Sequence, residues 1–330
     1  MQFNKQIISD ILREYEIKRE LHARQLGERR SEVYKKVPRI KEIDSLLSGT
    51  AVKVMRIALE AGDDPEQAIK DLKEQNLALQ RERTELLIKN NIPADFLDDK
   101  PDCNICSDMG YIGSTPCRCL KNAYKERLTK DLSTMLPIKD QNFQSFKLDY
   151  YPNIRDNRIK VSPREAMKSN LDYCIKYAHS FSKNSENLLF FGSAGLGKTF
   201  LSSCIAKVVV EAGFSVAYDT AINIINCYEN VKFNNQDTEQ AQKAINKYEN
   251  ADLLILDDLG TEPPSSFSTS FIYAIINNRL MSHKPMIIST NLLPAMLEKR
   301  YSEAIASRLN GEFTDIRFFG EDIRRKIRNY

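Results

Sequence analysis

Gly192-Ser193-Ala194-Gly195-Leu196-Gly197-Lys198-Thr199 fits the pattern G-x-x-x-x-G-K-[ST] at every fixed position. The apolar run Asn187-Leu188-Leu189-Phe190-Phe191 leads into it and reads as a buried parallel strand. Phe200, Leu201, Ile205, Val208 and Val209 follow at helical spacing. Strand, glycine turn and helix therefore come in the order that makes a phosphate cradle. Glycines let the backbone curl until successive N–H groups point inward. The helix N-terminus adds partial positive charge at the same place. Lys198 supplies a full charge for β- and γ-phosphates, and the Thr199 hydroxyl is placed to ligate Mg²⁺. The eight residues are thus expected to hold the phosphates of a nucleotide.

Two further strands are legible downstream. Ala251-Asp252-Leu253-Leu254-Ile255-Leu256-Asp257-Asp258-Leu259-Gly260 reads as a buried strand ending in two acids. The carboxyl ends of such strands are where α/β sheets bind ligands. Asp257 is the candidate Mg²⁺ partner, directly or from behind. Asp258 is the candidate base or water-orienting group; a solvated strand end is the plain alternative. Pro285-Met286-Ile287-Ile288-Ser289-Thr290-Asn291 is a third strand. The Asn291 amide is positioned to hold an attacking water, with a turn-forming Asn as the alternative. From Pro163 onward helices alternate with apolar strands, the signature of an α/β domain with a parallel sheet.

Residues 1–90 read as helix nearly throughout, with charges of both signs and few Gly or Pro. Val33, Ile40 and Leu47 recur at a spacing of seven, as do Leu72, Leu79 and Leu86, which puts each set on one helix face. Asp64-Pro65-Glu66 has the form of a helix start, with Asp64 as N-cap, after Gly62 closes the preceding helix. This helical arm is expected to be a solvated structural element, a docking arm for another protein, or both. Residues 91–102 form a linker, Leu120–Leu136 a short helix, and residues 138–160 an irregular, aromatic stretch.

Cys103-Asn104-Ile105-Cys106 and Cys117-Arg118-Cys119 are C-x₂-C and C-x-C pairs separated by ten residues, and Gly110 and Gly113 permit the return between them. Clustered cysteines in a chain without an export signal point to metal rather than disulfides. Four thiolates suit tetrahedral Zn²⁺; reduced, unliganded thiols and an Fe–S cluster are the alternatives. Cys174, Cys204 and Cys227 lie singly in apolar patterns and read as small buried hydrophobes.

At 330 residues the chain has room for two average domains. The net charge of +3 gives no argument by itself for nucleic-acid binding. No apolar run approaches the ~18 residues of a membrane span. Met1-Gln2-Phe3-Asn4-Lys5 leads into a charged helical pattern, not a signal peptide, so a cytoplasmic location is expected.

These motifs in combination resemble the AAA+ ATPases. More narrowly, residues 140–330 resemble the DnaC/DnaI/IstB group of helicase loaders and transposition helper ATPases. The likeness is carried by Phe143-Gln144-Ser145-Phe146, the loop Gly192–Thr199, Leu254-Ile255-Leu256-Asp257-Asp258-Leu259-Gly260, Ser289-Thr290-Asn291, Ile305-Ala306-Ser307-Arg308-Leu309 and Asp322-Ile323-Arg324. The resemblance implies an AAA+ core that binds and hydrolyses ATP with Mg²⁺. It makes Asn291 the sensor 1 residue, Arg324 the sensor 2 residue, and Arg308 an arginine finger for the γ-phosphate held by a neighbouring subunit. Arg300 and Arg317 compete for the finger role. Many AAA+ proteins have Glu where Asp258 stands; one methylene less implies slow basal turnover. The stretch after the expected last strand, Asp315–Phe319, leaves no room for a full helical lid. DnaI-like loaders likewise carry a cysteine-rich zinc element ahead of the ATPase.

A loader of this kind grips a hexameric replicative helicase through its N-terminal region, assembles side by side through its ATPase domain, and contacts single-stranded DNA. The implied organisation is a helicase-binding arm (1–90), a linker with a metal element (91–136) and an AAA+ domain (137–330). For DNA, residues 223–247 hold Tyr228, Lys232, Lys243 and Lys247, with Tyr248 directly after them, aromatics and lysines that stack bases and pair phosphates. A solvated helical face is the plain alternative. The rival functions are an IstB-like transposition helper and a non-hydrolysing scaffold held together by zinc and ATP.

Overall fold

Pro38 has no N–H to continue a helix, and the chain obeys it. In the computed structural model, which describes residues 3–60, 65–135, 141–157, 160–233 and 238–328, α1 (Lys5–Lys36) stops and α2 (Pro38–Ser48) begins with proline in its first turn. The series Val33, Ile40, Leu47 therefore crosses a helix break instead of following one helix face. α3 (Thr50–Glu60) and α4 (Pro65–Lys89) come next. Leu72, Leu79 and Leu86 do share α4, Leu72 buried and the other two half-buried. The helix boundary expected at Gly62 and Asp64 lies outside the described residues.

The chain folds as two units, Ser9–Leu120 and Lys121–Tyr330, the second including Met1–Ile8. In the first, Val33, Val37, Ile40, Leu87 and Leu97 form a small apolar cluster. Beside it Arg83 pairs with Asp44 at 2.7 Å, and Tyr34 donates to the same carboxylate at 2.7 Å. The cysteine segment adds the two-residue antiparallel strands β1 (Tyr111–Ile112) and β2 (Thr115–Pro116). α5 (Arg118–Met135) follows.

The second unit is the α/β core. α6 (Pro163–His179) starts with a reciprocal cap: the Ser162 hydroxyl accepts the Glu165 N–H while the Glu165 carboxylate accepts the Ser162 N–H. Then come β3 (Asn187–Phe191), α7 (Lys198–Glu211), β4 (Val216–Thr220), α8 (Ala221–Lys232), α9 (Thr238–Asn250) and β5 (Leu253–Leu259). α10 (Ser266–Met281), β6 (Met286–Thr290), α11 (Pro294–Arg300), α12 (Glu303–Glu312), β7 (Phe313–Arg317) and α13 (Ile323–Arg328) complete it. The strands form one sheet in the order β4-β5-β6-β3-β7, every pair parallel. The last strand sits at Phe313–Arg317, two residues ahead of the stretch expected from sequence.

Burial along β3, β5 and β6 is nearly unbroken, as in a sheet covered on both faces. Buried Arg279 acts as a strut under the sheet. It donates to the carbonyls of Tyr248, Ala251 and Pro285, which tie the end of α9 to the starts of β5 and β6. Because all strands run one way, the carboxyl ends of β3, β5 and β6 lie side by side. Gly192, Asp257 with Asp258, and Asn291 are therefore delivered to one edge.

Candidate functional site

The glycine turn leaves β3 at Phe191 and enters α7 at Lys198. Gly192 has φ +146°, and a β-carbon there would lie 2.6 Å from the Phe318 carbonyl oxygen. Gly197, at φ +91°, is the left-handed N-cap of α7, where a β-carbon would press on Phe146 and Tyr151 at 3.1 Å. Both fixed glycines of the motif are thus required by backbone conformation and by space. The first N–H groups of α7 have no partners within the helix and are the donors a phosphate takes.

Lys198 is buried and donates to the carbonyls of Gly192 (2.7 Å) and Ser193 (2.8 Å) and to Asn291 Oδ1 (2.8 Å). Burial lowers its pKa to about 8, with Asp258 and Asp257 acting against the shift and Arg324 with it. Thr199 donates to Asp257 Oδ2 at 3.0 Å. The same oxygen accepts the Tyr218 hydroxyl at 2.7 Å, and Asp257 Oδ1 accepts the Ser289 hydroxyl. Asp257 is therefore locked in orientation. The Thr199 hydroxyl and Asp257 carboxylate are adjacent hard oxygen donors of the kind Mg²⁺ takes, so these two residues would hold the ion.

Asp258 sits where the β5–β6 register shifts, between Leu256 and Leu259, and has φ +54°. A non-glycine residue in this conformation costs about 1–3 kcal/mol, the kind of strain found at functional sites. Its N–H donates to Ser289 Oγ at 2.9 Å, so one serine hydroxyl positions both acids. Burial and then neighbouring Asp257 raise the Asp258 pKa, against the pull of Lys198 and Arg324. That makes the carboxylate a better proton acceptor than a solvated one.

Gly195–Thr199, Asp258, Asn291 and Arg324 line one pocket of about 280 Å³, with Gln141, Phe146, Tyr150 and Tyr151 on its other walls. Arg308 lies elsewhere on the same chain. It is held on α12 by Asn277 Oδ1 (2.9 Å) and the Tyr273 hydroxyl (2.8 Å), with its guanidinium 4.5 Å over the Tyr273 ring. Arg300 donates to the Glu262 carbonyl, and Arg317 lies 4.9 Å over the Phe319 ring. None of these three lines the pocket.

A pH dependence follows from Lys198. Its charged form prevails below about pH 8 and is lost above it. ATP affinity, measured by calorimetry on the chain, is expected to be flat up to roughly pH 7.5. It should then weaken by about tenfold per pH unit, because binding must first return a proton to Lys198. An affinity that stays constant to roughly pH 9.5 removes Lys198 from the phosphate contacts.

The four clustered cysteines also converge, their sulfurs all within 4.8 Å of one another. Cys103 and Cys117 are 3.8 Å apart, and Cys106 and Cys119 3.4 Å, well beyond a disulfide bond. Four sulfurs each ~2.3 Å from a central zinc lie roughly 3.8 Å apart, so the set fits tetrahedral Zn²⁺. Backbone N–H groups of Cys106 and Ile105 point at Cys103 and lower its pKa to about 7. Buried Asp108 accepts the N–H groups of Asp102 (2.9 Å) and Cys103 (2.8 Å) and so shapes the first knuckle.

Comparison with known proteins adds to this geometry. Residues 175–326 match the family described as IstB-like ATP binding protein. The replicative helicase loader DnaC of Buchnera aphidicola subsp. Baizongia pistaciae is 28% identical over 155 residues, 46% of this chain and 62% of that protein. DnaC of Escherichia coli K12, also a replicative helicase loader, is 27% identical over 203 residues, 61% of this chain and 76% of that one. This part of the chain is similar to the DnaC/IstB group. The aligned segment covers less than two thirds of the Buchnera loader's length. A crystal structure of the DnaC helicase loader superimposes with a TM-score of 0.45 and 23% identity, covering 55% of this chain and 97% of that one.

The site also depends on residues that the local sequence does not mark, around Asp257 and under the turn. Ser289 was visible only as a polar residue inside an apolar strand, and Tyr218 only as a strand residue. Tyr151, buried, supports the turn by donating to the Leu196 carbonyl at 2.8 Å, and nothing in its local sequence announces that. Among the residues expected to contact DNA, Tyr248 is corrected by the fold. Tyr248 is buried and donates to Asp219 at 2.7 Å, so it has no face to offer a base. Tyr228 packs on Phe271 with ring centroids 3.9 Å apart and donates to Glu249. Lys243 pairs with Glu239 and Lys247 with Asp131, while Lys232 lies 4.7 Å over the Phe267 ring. Residues 234–237 of that stretch lie outside the described residues.

Proposed function

We propose that this protein is an ATP-dependent loader of the replicative hexameric DNA helicase, working in the cytoplasm. The observation that carries the reading is the pocket in which Lys198, Asp258, Asn291 and Arg324 meet beside the Thr199–Asp257 pair. Its relatives among replicative helicase loaders point the same way. ATP with Mg²⁺ binds on Gly192–Thr199. Asp258 activates or orients the attacking water, Asn291 positions it, and Arg324 senses the phosphates. Arg308 acts on the nucleotide of a neighbouring subunit once copies assemble, and Asn277 and Tyr273 hold it until then. Residues 1–90 grip the helicase, residues 91–136 form the zinc element, and residues 137–330 form the ATPase that contacts single-stranded DNA. No helix among the described residues is long and apolar enough to cross a membrane.

Co-purification of the full chain with its replicative helicase, with and without ATP, tests this. The expected result is a stable complex whose affinity for single-stranded DNA rises with ATP. Failure to capture the helicase, together with capture of a transposase, hands the protein to the second reading, an IstB-like transposition helper. The family match over residues 175–326 favours that alternative.

A further inference from the structure

We propose that Gln141 reads the base of the bound nucleotide and selects a 6-aminopurine over a 6-oxopurine. The inference rests on the reading of the pocket as an ATP site and goes on to say what chooses adenine. Gln141 is 6% exposed, and its Oε1 has no hydrogen-bond partner among the described residues. Buried amide oxygens are almost always paired, so an unpaired one needs a reason. This one belongs to a residue lining the same pocket as the phosphate turn.

The main chain that carries the amide is anchored. The Gln141 carbonyl accepts Lys207 Nζ of α7 at 2.7 Å. The next residue, Asn142, caps the short 3₁₀ turn Phe143–Ser145 in both directions. The main chain at Gln141 is thereby tied to the helix that carries Lys198. Phosphates take the charged part of the pocket, with Lys198, Asp258 and Asn291. The remaining walls are aromatic: Phe146 stacks on Tyr151 at 5.7 Å and meets Phe200 edge-on at 5.5 Å. Flat apolar walls with one amide are the chemistry of a purine site. Adenine presents an amino donor beside a ring-nitrogen acceptor, the pair that a glutamine amide matches with its oxygen and NH₂. In the orientation that serves adenine, the Gln141 oxygen faces a second acceptor in guanine, whose carbonyl stands at the amino position, so guanine is accepted only if the amide turns over.

Calorimetry on the full chain with ATP, GTP and inorganic tripolyphosphate tests the proposal. The wild-type chain should prefer ATP over GTP by about 10- to 100-fold, the value of one well-matched amide–base pair. Gln141→Met should bring the ATP-to-GTP ratio to within roughly threefold while leaving tripolyphosphate affinity unchanged. Its melting temperature without nucleotide should hold or rise, since the unpaired oxygen is gone. Gln141→Glu keeps an acceptor for the adenine amino group but has no donor for the ring nitrogen, and its carboxylate can accept from the N1–H and 2-amino groups of guanine, so it should weaken ATP binding and lose the preference over GTP. A preserved ratio in Gln141→Met overturns the base-reading role and leaves the phosphate turn standing. A lowered melting temperature with weakened tripolyphosphate binding assigns Gln141 a structural part and also overturns it. Uptake of neither ATP nor tripolyphosphate by the wild-type chain overturns both readings.

Discussion

Lys198→Ala is expected to weaken ATP binding by about 100- to 1,000-fold, the scale set by removing one partner from a buried, hydrogen-bonded charge contact. The side chain is positioned for it by three acceptors, the carbonyls of Gly192 and Ser193 and Asn291 Oδ1. Its pKa of about 8 reports a charge kept out of water at some cost. Removing that cost means the variant should melt no lower than the parent, which separates a binding defect from a folding one. Calorimetry with ATP and Mg²⁺ measures the first and a thermal scan the second. An Ala variant that binds ATP like the parent would show that the nucleotide does not sit on this turn, and the loader proposal would fall with it.

The second large effect is expected at the cysteine cluster. Purified chain should carry about one zinc, and Cys106→Ser or strong chelation should unfold the segment around residues 103–119. Structural zinc supplies ~10–16 kcal/mol of folding free energy in small elements of this kind. Two-residue strands and one buried carboxylate, Asp108, are little to hold the segment otherwise. Metal analysis reads the stoichiometry, and limited proteolysis with and without chelator reads the unfolding. Stoichiometric iron with visible absorbance would replace zinc by an Fe–S cluster. The absence of both metals, with the segment still protease-resistant, would sink the site.

The parts of this protein that were legible beforehand are those encoded by neighbours in sequence. A phosphate turn is eight consecutive residues between a strand and a helix, so its backbone conformation is a local matter. The acid-tipped strand and the C-x₂-C and C-x-C knuckles are equally local. Even the helix break at Pro38 was available, although the seven-residue spacing of Val33, Ile40 and Leu47 suggested one continuous face. Tyr248 shows where such reading fails: an aromatic among lysines looks like a base-stacking residue until the fold buries it against Asp219.

From sequence alone came the α/β class, the phosphate turn, the paired acids at one strand end, and the four candidate metal ligands. Each rests on short-range rules: which residues permit a positive φ, which alternate or recur at helical spacing, and which side chains carry charge. Only the tertiary structure decided that Ser289 orients both Asp257 and Asp258, that Arg308 is held away from its own chain's pocket, and that Gln141 and Tyr151 face the phosphate turn. Those juxtapositions join residues tens of positions apart. They depend on the order β4-β5-β6-β3-β7, which arises from how the buried strands pack against one another and leaves no trace in any one stretch of the chain.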